Sequence, residues 1–201
     1  QTCALPICMA KLDLPPQANG QGKPHGVFDS TGMVFSIMAE MDGGKGNYIN
    51  LYDARNYQGG AFSELKLETK DVQDALKTHR VDVPFPSSKE NGALTLNKIS
   101  FNESGNRILV QSEEGLTLVL DGYEGTIQRV FNSSSGKGIV SCFTPDEKSV
   151  LIGSDSGIID VYNIQSGLSQ KHLTGHHTGP VTGLVCNPKY QQFASSCTNT
   201  W

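Results

Sequence analysis

Short runs of alternating apolar and polar residues, separated by Gly, Asp and Pro, predict β-strands along most of the chain. The clearest set lies at 139–163, where IVSCF, SVLIGS and IIDVYN predict three strands and Asp155-Ser156-Gly157 predicts a tight hairpin turn. The same design occurs at 106–121, where NRILVQS and LTLVLD flank a Glu-Glu-Gly turn. Outer strands are predicted at 126–131 (TIQRVF) and 169–173 (SQKHL). Because no long stretch shows a helical period, we predict an all-β chain.

A corner made of one apolar residue and a polar turn recurs along the chain. It is FDSTG from Phe28, FNESG from Phe101, FTPDE from Phe143 and CNPKY from Cys186. The last three corners are 42 and 43 residues apart. The ends of two predicted third strands, Asp121 and Asn163, are also 42 residues apart. A period of about 40–45 residues with four strands in each unit is typical of a β-propeller.

The repeat predicts about three and a half propeller blades. Complete units are expected at 25–67, 94–131 and 137–173, and an incomplete unit at 177–201. Between the first two units, residues 68–93 are polar and contain Pro84-Phe85-Pro86, so we predict a long loop there.

The two ends predict a fragment of a longer protein. Residues 1–7, QTCALPI, match the translation of a common sequencing adapter and are excluded from the fold prediction. Residues 8–24, which contain Pro15-Pro16, are predicted to be a loop or linker. The chain stops at Trp201, before a third strand of the fourth unit. Since propellers typically have about four to eight blades, we expect further blades in the natural protein.

Charge and hydrophobicity disfavour two classes of function, direct nucleic-acid binding and membrane insertion. A net charge of −4 and a pI near 5.7 give no basic footprint, which disfavours direct nucleic-acid binding. No apolar run reaches the roughly 18 residues that a membrane helix needs, and no signal pattern is present at the start. We therefore expect an intracellular protein that binds neither membranes nor nucleic acid directly.

The segment from Val150 to His176 resembles one blade of a WD-repeat propeller. In that family a His after Gly in the outer loop bonds an Asp in the second hairpin turn, and a Ser or Thr and a Trp complete a tetrad. The resemblance implies Ser154, Asp155 and Tyr162 in the third unit, with Tyr replacing Trp. In the fourth unit it implies Gly175 and His176, with Ser195 or Ser196 and with Asn199 at the Asp position.

The sequence gives less support to metal binding, catalysis or phosphate binding. A zinc site could combine His172, His176, His177, Cys186 and Cys197, but no CxxC pair or finger spacing is present, so buried structural cysteines are favoured. A catalytic triad around His176 would need a nucleophile on a strained turn, and no GxSxG signature occurs. The glycines of MDGGKGN at 41–47 favour a hairpin turn over a phosphate cradle. We therefore predict a protein that is not an enzyme, with no catalytic, metal or cofactor-binding residues and no cofactor.

Four segments give a more specific resemblance, to the WD-repeat protein 82 family, the Swd-type subunits of COMPASS histone methyltransferase complexes. They are VFDSTGMVFSI (27–37), LYDARNYQGGAFSEL (51–65), FTPDEKSVLIGSDSGIIDVYNIQSGL (143–168) and LTGHHTGPVTGLVCNPKYQQFASSCTN (173–199). The resemblance implies a seven-bladed propeller and a nuclear, non-catalytic adaptor for the complex that methylates lysine 4 of a histone. It also implies partners among protein-phosphatase-1 or cleavage-and-polyadenylation complexes, and recognition of the serine-5-phosphorylated tail of RNA polymerase II.

Two questions stay open at this level. Another WD-repeat adaptor, such as a ubiquitin-ligase substrate receptor, would have the same repeat, because a fold does not determine a function. Phosphopeptide binding would require a cluster of Arg or Lys side chains. Lys137, Lys148, Lys171 and Lys189 recur near strand ends and could converge, although four ordinary solvated lysines are favoured.

Overall fold

The protein is described by a computed structural model, which covers Leu12, residues 23–82 and residues 93–199. The strands of the first half are β1 (His25–Phe28), β2 (Val34–Glu40), β3 (Gly46–Asp53), β4 (Ser63–Glu68), β5 (Leu96–Phe101), β6 (Arg107–Ser112), β7 (Leu116–Asp121) and β8 (Ile127–Asn132). Those of the second half are β9 (Gly138–Phe143), β10 (Ser149–Ser154), β11 (Ile159–Asn163), β12 (Ser169–Leu173), β13 (Val181–Cys186) and β14 (Phe193–Cys197).

The strands form antiparallel sheets in chain order. Three sheets have four strands each, β1 to β4, β5 to β8 and β9 to β12, and β13 pairs with β14. The predicted hairpins are confirmed: in the third sheet Leu151 lies opposite Val161 and also opposite Cys142. Gly157 closes the β10–β11 turn with a φ of +81°, a left-handed conformation that favours glycine. The predicted all-β architecture is therefore confirmed, because the strands form a series of four-stranded blades.

Apolar side chains between successive sheets form the core. One cluster joins the first two sheets, and its fully buried members include Ile49, Ile108 and Leu118. A second cluster, with Phe131 and Val150, joins the second and third sheets, and a third cluster packs β13 on β9 and β10. Burying each such side chain contributes about 1.5–3 kcal/mol to the stability of the fold. The contact between blades is therefore a hydrophobic core like that of a globular domain.

One helix lies in the segment that we predicted to be a loop. Helix α1 spans Thr69–His79, so the loop interpretation of 68–93 is wrong for these residues. Val72, Ala75 and Leu76 share one face of the helix and pack into the core beside β4 and β8. The helix ends at Arg80, which is left-handed with a φ of 53°. Three apolar residues are too few to give a clear helical period, and packing on a preformed sheet edge stabilises the helix instead.

The remaining segments are turns or lie outside the residues that the structure describes. The 41–47 segment is a hairpin connection with a short 3₁₀ turn at Asp42–Gly44, as expected, and a second 3₁₀ turn lies at Tyr57–Gly59. The predictions for residues 1–7, for Pro15-Pro16, for Pro84-Phe85-Pro86 and for Trp201 fall outside the described residues. None of the helices that the structure describes is long and apolar enough to cross a bilayer.

Candidate interaction site

The β-turn corners of the first three blades are linked on one face of the molecule. The fifth position of each corner is left-handed: Gly32, Gly105 and Glu147 have φ values of 69°, 70° and 57°. Glycine adopts this conformation without strain, whereas Glu147 does so at a cost of about 1 kcal/mol. Its carboxylate accepts hydrogen bonds from the backbone N–H and the hydroxyl of Ser104 at 2.6 and 2.9 Å. The strained residue therefore ties the third corner to the second.

The first and second corners are joined by a single hydrogen bond. The Ser30 hydroxyl donates to the Glu103 carbonyl at 2.6 Å. The three corners therefore form a continuous chain of contacts along one face, which fixes the angle at which the blades meet.

A polar groove lies beside this chain of corners, between the second and third blades. It has a volume of about 680 Å³. Its walls carry three cations and two carboxylates, and the lining residues are Arg107, Gln128, Arg129, Asp146, Glu147, Lys148, Asn163, Ile164 and Gln165. The cations come from strands β6 and β8 of one blade and from the β9–β10 turn of the next. The groove therefore exists only where two blades meet.

The arginines of the groove are held in place by neutral acceptors. Arg107 donates from Nε to Gln128 Oε1 at 3.0 Å and from Nη1 to the Glu147 carbonyl at 3.3 Å. Arg129 donates from Nη1 to the Gln128 carbonyl at 2.9 Å and from Nη2 to the Gln165 carbonyl. Each guanidinium has five N–H donors, and these contacts use only two of them in each case. The geometry leaves both side chains fixed, charged and able to bind an anionic partner.

The carboxylates of the groove are already occupied. The Glu147 carboxylate faces Ser104, as described above. Asp146 accepts from the Thr144 hydroxyl at 2.6 Å and from the Lys148 N–H at 3.1 Å. The hydrogen bond from Thr144 lowers the pKa of Asp146 below its ordinary value, and the Lys148 N–H lowers it further, so Asp146 stays ionised near neutral pH. The two carboxylates are therefore partly satisfied within the chain, and the arginine N–H groups that the contacts above leave unused are the donors that the groove offers to a partner.

The four lysines considered from the sequence do not gather at one site. Lys148 lies in the groove, but Lys137 precedes β9 and so lies at the opposite end of the β9–β10 hairpin. Neither Lys171 nor Lys189 lines the groove. Sequence reasoning missed Arg107 and Arg129, because their meeting with Lys148 depends on how two blades pack.

Ser154 and Asp155, which the WD-repeat resemblance singled out, hold the β10–β11 turn. The buried Ser154 hydroxyl donates to the Ile158 carbonyl at 2.9 Å and accepts from the Ile158 N–H at 3.2 Å. The Asp155 carboxylate accepts from the Lys137 N–H at 3.0 Å, which connects this turn to the loop before β9. That these two residues act as members of a blade tetrad stays a prediction.

Tyr162, at the expected Trp position, connects the third blade to the second. Its hydroxyl donates to the Asn132 carbonyl at 2.8 Å, and its ring stacks on Phe131 with the centroids 5.0 Å apart. Burial, with a further contribution from the negative charge of Asp160, raises the pKa of Tyr162 to about 12.

In the fourth unit the histidine that meets Ser195 is His177, not the expected His176. His177 Nε2 lies 2.8 Å from Ser195 Oγ, whereas His176 is exposed. Gly175, two residues before His177, is left-handed with a φ of +80°. Asn199 donates to the Thr178 hydroxyl at 3.4 Å and is exposed. The sequence could not distinguish the two histidines, because a shift of one residue in the loop exchanges them.

A buried carboxylate that the sequence did not single out lies at the centre of the third blade. Asp160 is fully buried. It accepts from both Ser133 Oγ and the Ser134 N–H at 2.8 Å, and from Ser134 Oγ at 2.9 Å. His172 Nδ1 is 2.6 Å from Asp160 Oδ1. The sequence offered one signal of this network. Asp160 is a charged residue within the largely apolar strand IIDVYN, directly after the pair Ile158-Ile159.

This network joins strands and is not arranged for catalysis. His172 Nε2 lies 3.3 Å from Ser169 Oγ, which gives the order carboxylate, imidazole, hydroxyl. A hydrolase presents its nucleophile on a strained turn beside oxyanion donors, whereas Ser169 is the first residue of the outer strand β12. Since Ser133 and Ser134 precede β9 and Asp160 lies in β11, the network connects the loop between two blades to the middle of one of them.

The residues of the considered zinc set are not gathered around one point in the described part of the chain. His172 contacts Asp160, His177 contacts Ser195, and Cys186 contacts Cys142. Within residues 23–82 and 93–199, no three His, Cys, Asp or Glu side chains are grouped as metal ligands would be.

Comparisons with known proteins agree with this architecture. No protein-family model matches the chain. It is 27% identical over 181 residues to WD repeat-containing protein 82 of Drosophila melanogaster, covering 89% of this chain and 49% of that protein. It is 26% identical over 187 residues to the COMPASS component Swd2 of Saccharomyces cerevisiae, covering 84% of this chain and 48% of that protein. The chain thus spans about half the length of the curated relatives that it matches.

A solved structure supports the fold independently of sequence. The C-terminal WD40 domain of Sif2 superimposes with a TM-score of 0.60 at 17% identity, over 86% of this chain and 40% of that one. At this identity the likeness concerns the fold alone. This chain has three four-stranded antiparallel sheets in chain order and one further strand pair. The described residues therefore form three blades and two strands of a fourth blade of a WD40 β-propeller, with a sequence similar to WD repeat-containing protein 82 and to COMPASS Swd2.

Proposed function

We propose that the chain belongs to a non-catalytic adaptor subunit of a nuclear COMPASS-type histone lysine-4 methyltransferase complex. The observation that carries this proposal is the similarity to both WD repeat-containing protein 82 and the COMPASS component Swd2 over more than four fifths of the chain. A rigid series of blades suits an adaptor, because each groove between blades offers a fixed surface to a different partner. The partners are the methyltransferase subunits and the proteins that bring them to chromatin.

The polar groove is the surface that we assign to recruitment. We propose that it binds the tail of RNA polymerase II when the tail is phosphorylated. Two positioned guanidinium groups and Lys148 line one groove, and the neighbouring carboxylates already have donors of their own. Arginines with free N–H donors are well suited to phosphate, which they bind through paired hydrogen bonds.

Peptide binding tests this assignment. The probe is a fluorescent peptide of the polymerase tail repeat, phosphorylated on serine 5, and the measurement is its fluorescence anisotropy. Arg129→Gln should weaken binding by roughly tenfold or more, since a charge-assisted contact is worth about 1.5–3 kcal/mol. Lys171→Gln is the matched control, because it removes the same charge from the outer strand of the third blade, away from the groove.

The phosphate must account for the affinity. The proposal expects the unphosphorylated peptide to bind at least roughly tenfold more weakly, and it expects binding of the phosphopeptide to weaken as salt is added. Equal affinity for the two peptides, or an unchanged affinity in Arg129→Gln, would exclude the groove as the recruitment surface. An equal loss in Lys171→Gln would show that overall charge, not this site, governs binding.

A further inference from the structure

Two cysteines of neighbouring blades face each other. Cys142 is the last but one residue of β9, and Cys186 is the last residue of β13. These strands lie side by side where the third blade meets the fourth. The two Sγ atoms are 3.3 Å apart. The contact is therefore between two blades and not within one. Both side chains also pack against the apolar cluster between these blades, and the proposed function does not use their thiols.

The surroundings suit a reactive pair better than a purely structural one. Both side chains are only partly buried, so a small oxidant can reach them, whereas Cys197 is buried at the end of β14. The contact between the thiols has opposite effects on the two groups. The hydrogen bond from Cys142 lowers the pKa of Cys186, and the same interaction together with burial raises the pKa of Cys142. Cys186 is thus the thiol that more readily becomes a thiolate, and Cys142 is the thiol beside it.

We propose that Cys142 and Cys186 are a reversible oxidation site, at which a disulfide joins the third blade to the fourth. With a peroxide as the oxidant, the Cys186 thiolate attacks one peroxide oxygen, the O–O bond breaks and a sulfenic acid forms on Cys186. The Cys142 sulfur then attacks the Cys186 sulfur, the S–O bond breaks and water leaves. Overall, two thiols and hydrogen peroxide give one disulfide and two waters, so two electrons pass from sulfur to oxygen. A small thiol reverses the reaction by exchange.

The distance that must close is short. A disulfide bond is about 2.0 Å long, so the sulfur atoms must approach each other by about 1.3 Å, which small side-chain rotations can supply. The bond would close a long stretch of chain, from Cys142 through β10, β11 and β12 to Cys186. Cross-linking such a loop restricts the unfolded chain and therefore stabilises the folded one. The oxidised protein should hold its third and fourth blades together more firmly than the reduced protein does.

Peptide mapping tests the proposal directly. Cleavage after Lys and Arg places Cys142 in the peptide 138–148, Cys186 in 172–189 and Cys197 in 190–201. After treatment with hydrogen peroxide and blocking of free thiols, mass spectrometry without reductant should find 138–148 joined to 172–189. The joined peptide should disappear after treatment with glutathione. Cys197→Ser is the matched control and should leave the cross-link unchanged.

Two further readouts support the mapping, and the first of them does not depend on how well a variant folds. In the wild-type protein, oxidation should raise the melting temperature by about 5–10 °C, and reduction should reverse this. In folded Cys142→Ser, peroxide should still oxidise Cys186 but no joined peptide should form, because the second thiol is gone. Independent alkylation of both cysteines after peroxide treatment, or conversion of each to sulfinic acid without a joined peptide, would overturn the proposal. A cross-link from Cys142 to Cys197 would overturn it as well.

Discussion

The carboxylate of Glu147 bridges two blades by accepting hydrogen bonds from both the N–H and the hydroxyl of Ser104, at 2.6 and 2.9 Å. The preceding corners have glycine at the position of Glu147, with nearly the same left-handed φ. The third corner therefore has a strained residue where the first two corners have an unstrained glycine, and this residue holds the neighbouring blade. The backbone carbonyl of Glu147 accepts a hydrogen bond from Arg107, at the wall of the polar groove.

Two substitutions of Glu147 distinguish the backbone strain at this residue from its hydrogen bonds to Ser104. Glu147→Gly removes both, so we expect the free energy of unfolding to change by less than about 1 kcal/mol. Glu147→Ala removes the bridge but keeps most of the strain, and it should destabilise the protein by about 1–3 kcal/mol. Urea unfolding measures both values. If the alanine variant were as stable as the wild type, the bridge would contribute nothing, and if it were as stable as the glycine variant, the left-handed residue would carry no strain.

The two adjacent histidines should differ in their effect on stability. His177→Ala leaves Ser195 without its partner and should reduce the free energy of unfolding by about 1 kcal/mol, the usual value of one hydrogen bond. His176→Ala is the matched control and should stay within about 0.5 kcal/mol of the wild type, since its side chain is exposed. The reverse order in thermal or urea unfolding would restore the assignment that the sequence suggested.

Asp160 should be the most sensitive polar residue of the third blade. Asp160→Ala leaves the Ser133 hydroxyl, both Ser134 donors and His172 without the acceptor that they share, and we expect a loss of about 3–5 kcal/mol. Asp74→Ala, on the exposed side of α1, is the control and should change stability by less than about 0.5 kcal/mol. Equal small effects in urea unfolding would mean that the network does not hold the blade.

Tyr162 should make stability fall at high pH. Its folded pKa of about 12 lies above the ordinary value of 10.0, so the folded protein keeps its proton where the unfolded chain has lost it. The resulting stability is fully present below about pH 10 and is lost as the pH rises towards about 12. Tyr162→Phe cannot ionise, so its stability should decline less over this range. Parallel curves of unfolding free energy against pH for the two proteins would contradict the raised pKa.

Local pattern was sufficient for the strands but not for contacts between units. The alternation in SVLIGS and the Asp155-Ser156-Gly157 turn are properties of a few neighbouring residues, and the corresponding hairpin formed as expected. Helix α1 was missed because its stability comes from packing Val72 and Leu76 on the sheet. Sequence spacing carries little information on contacts across blades, such as Arg107 with Glu147 or Cys142 with Cys186, because they depend on the angle between sheets.

The identity of the assembly is tested most directly by purifying the full-length protein, with and without Arg129→Gln, from nuclear extract and identifying its partners by mass spectrometry. Our account predicts methyltransferase subunits with both forms, and phosphorylated RNA polymerase II with the wild type but at a severalfold lower yield with the variant. Subunits of a ubiquitin ligase, or of a protein-phosphatase-1 complex without any methyltransferase subunit, would contradict it.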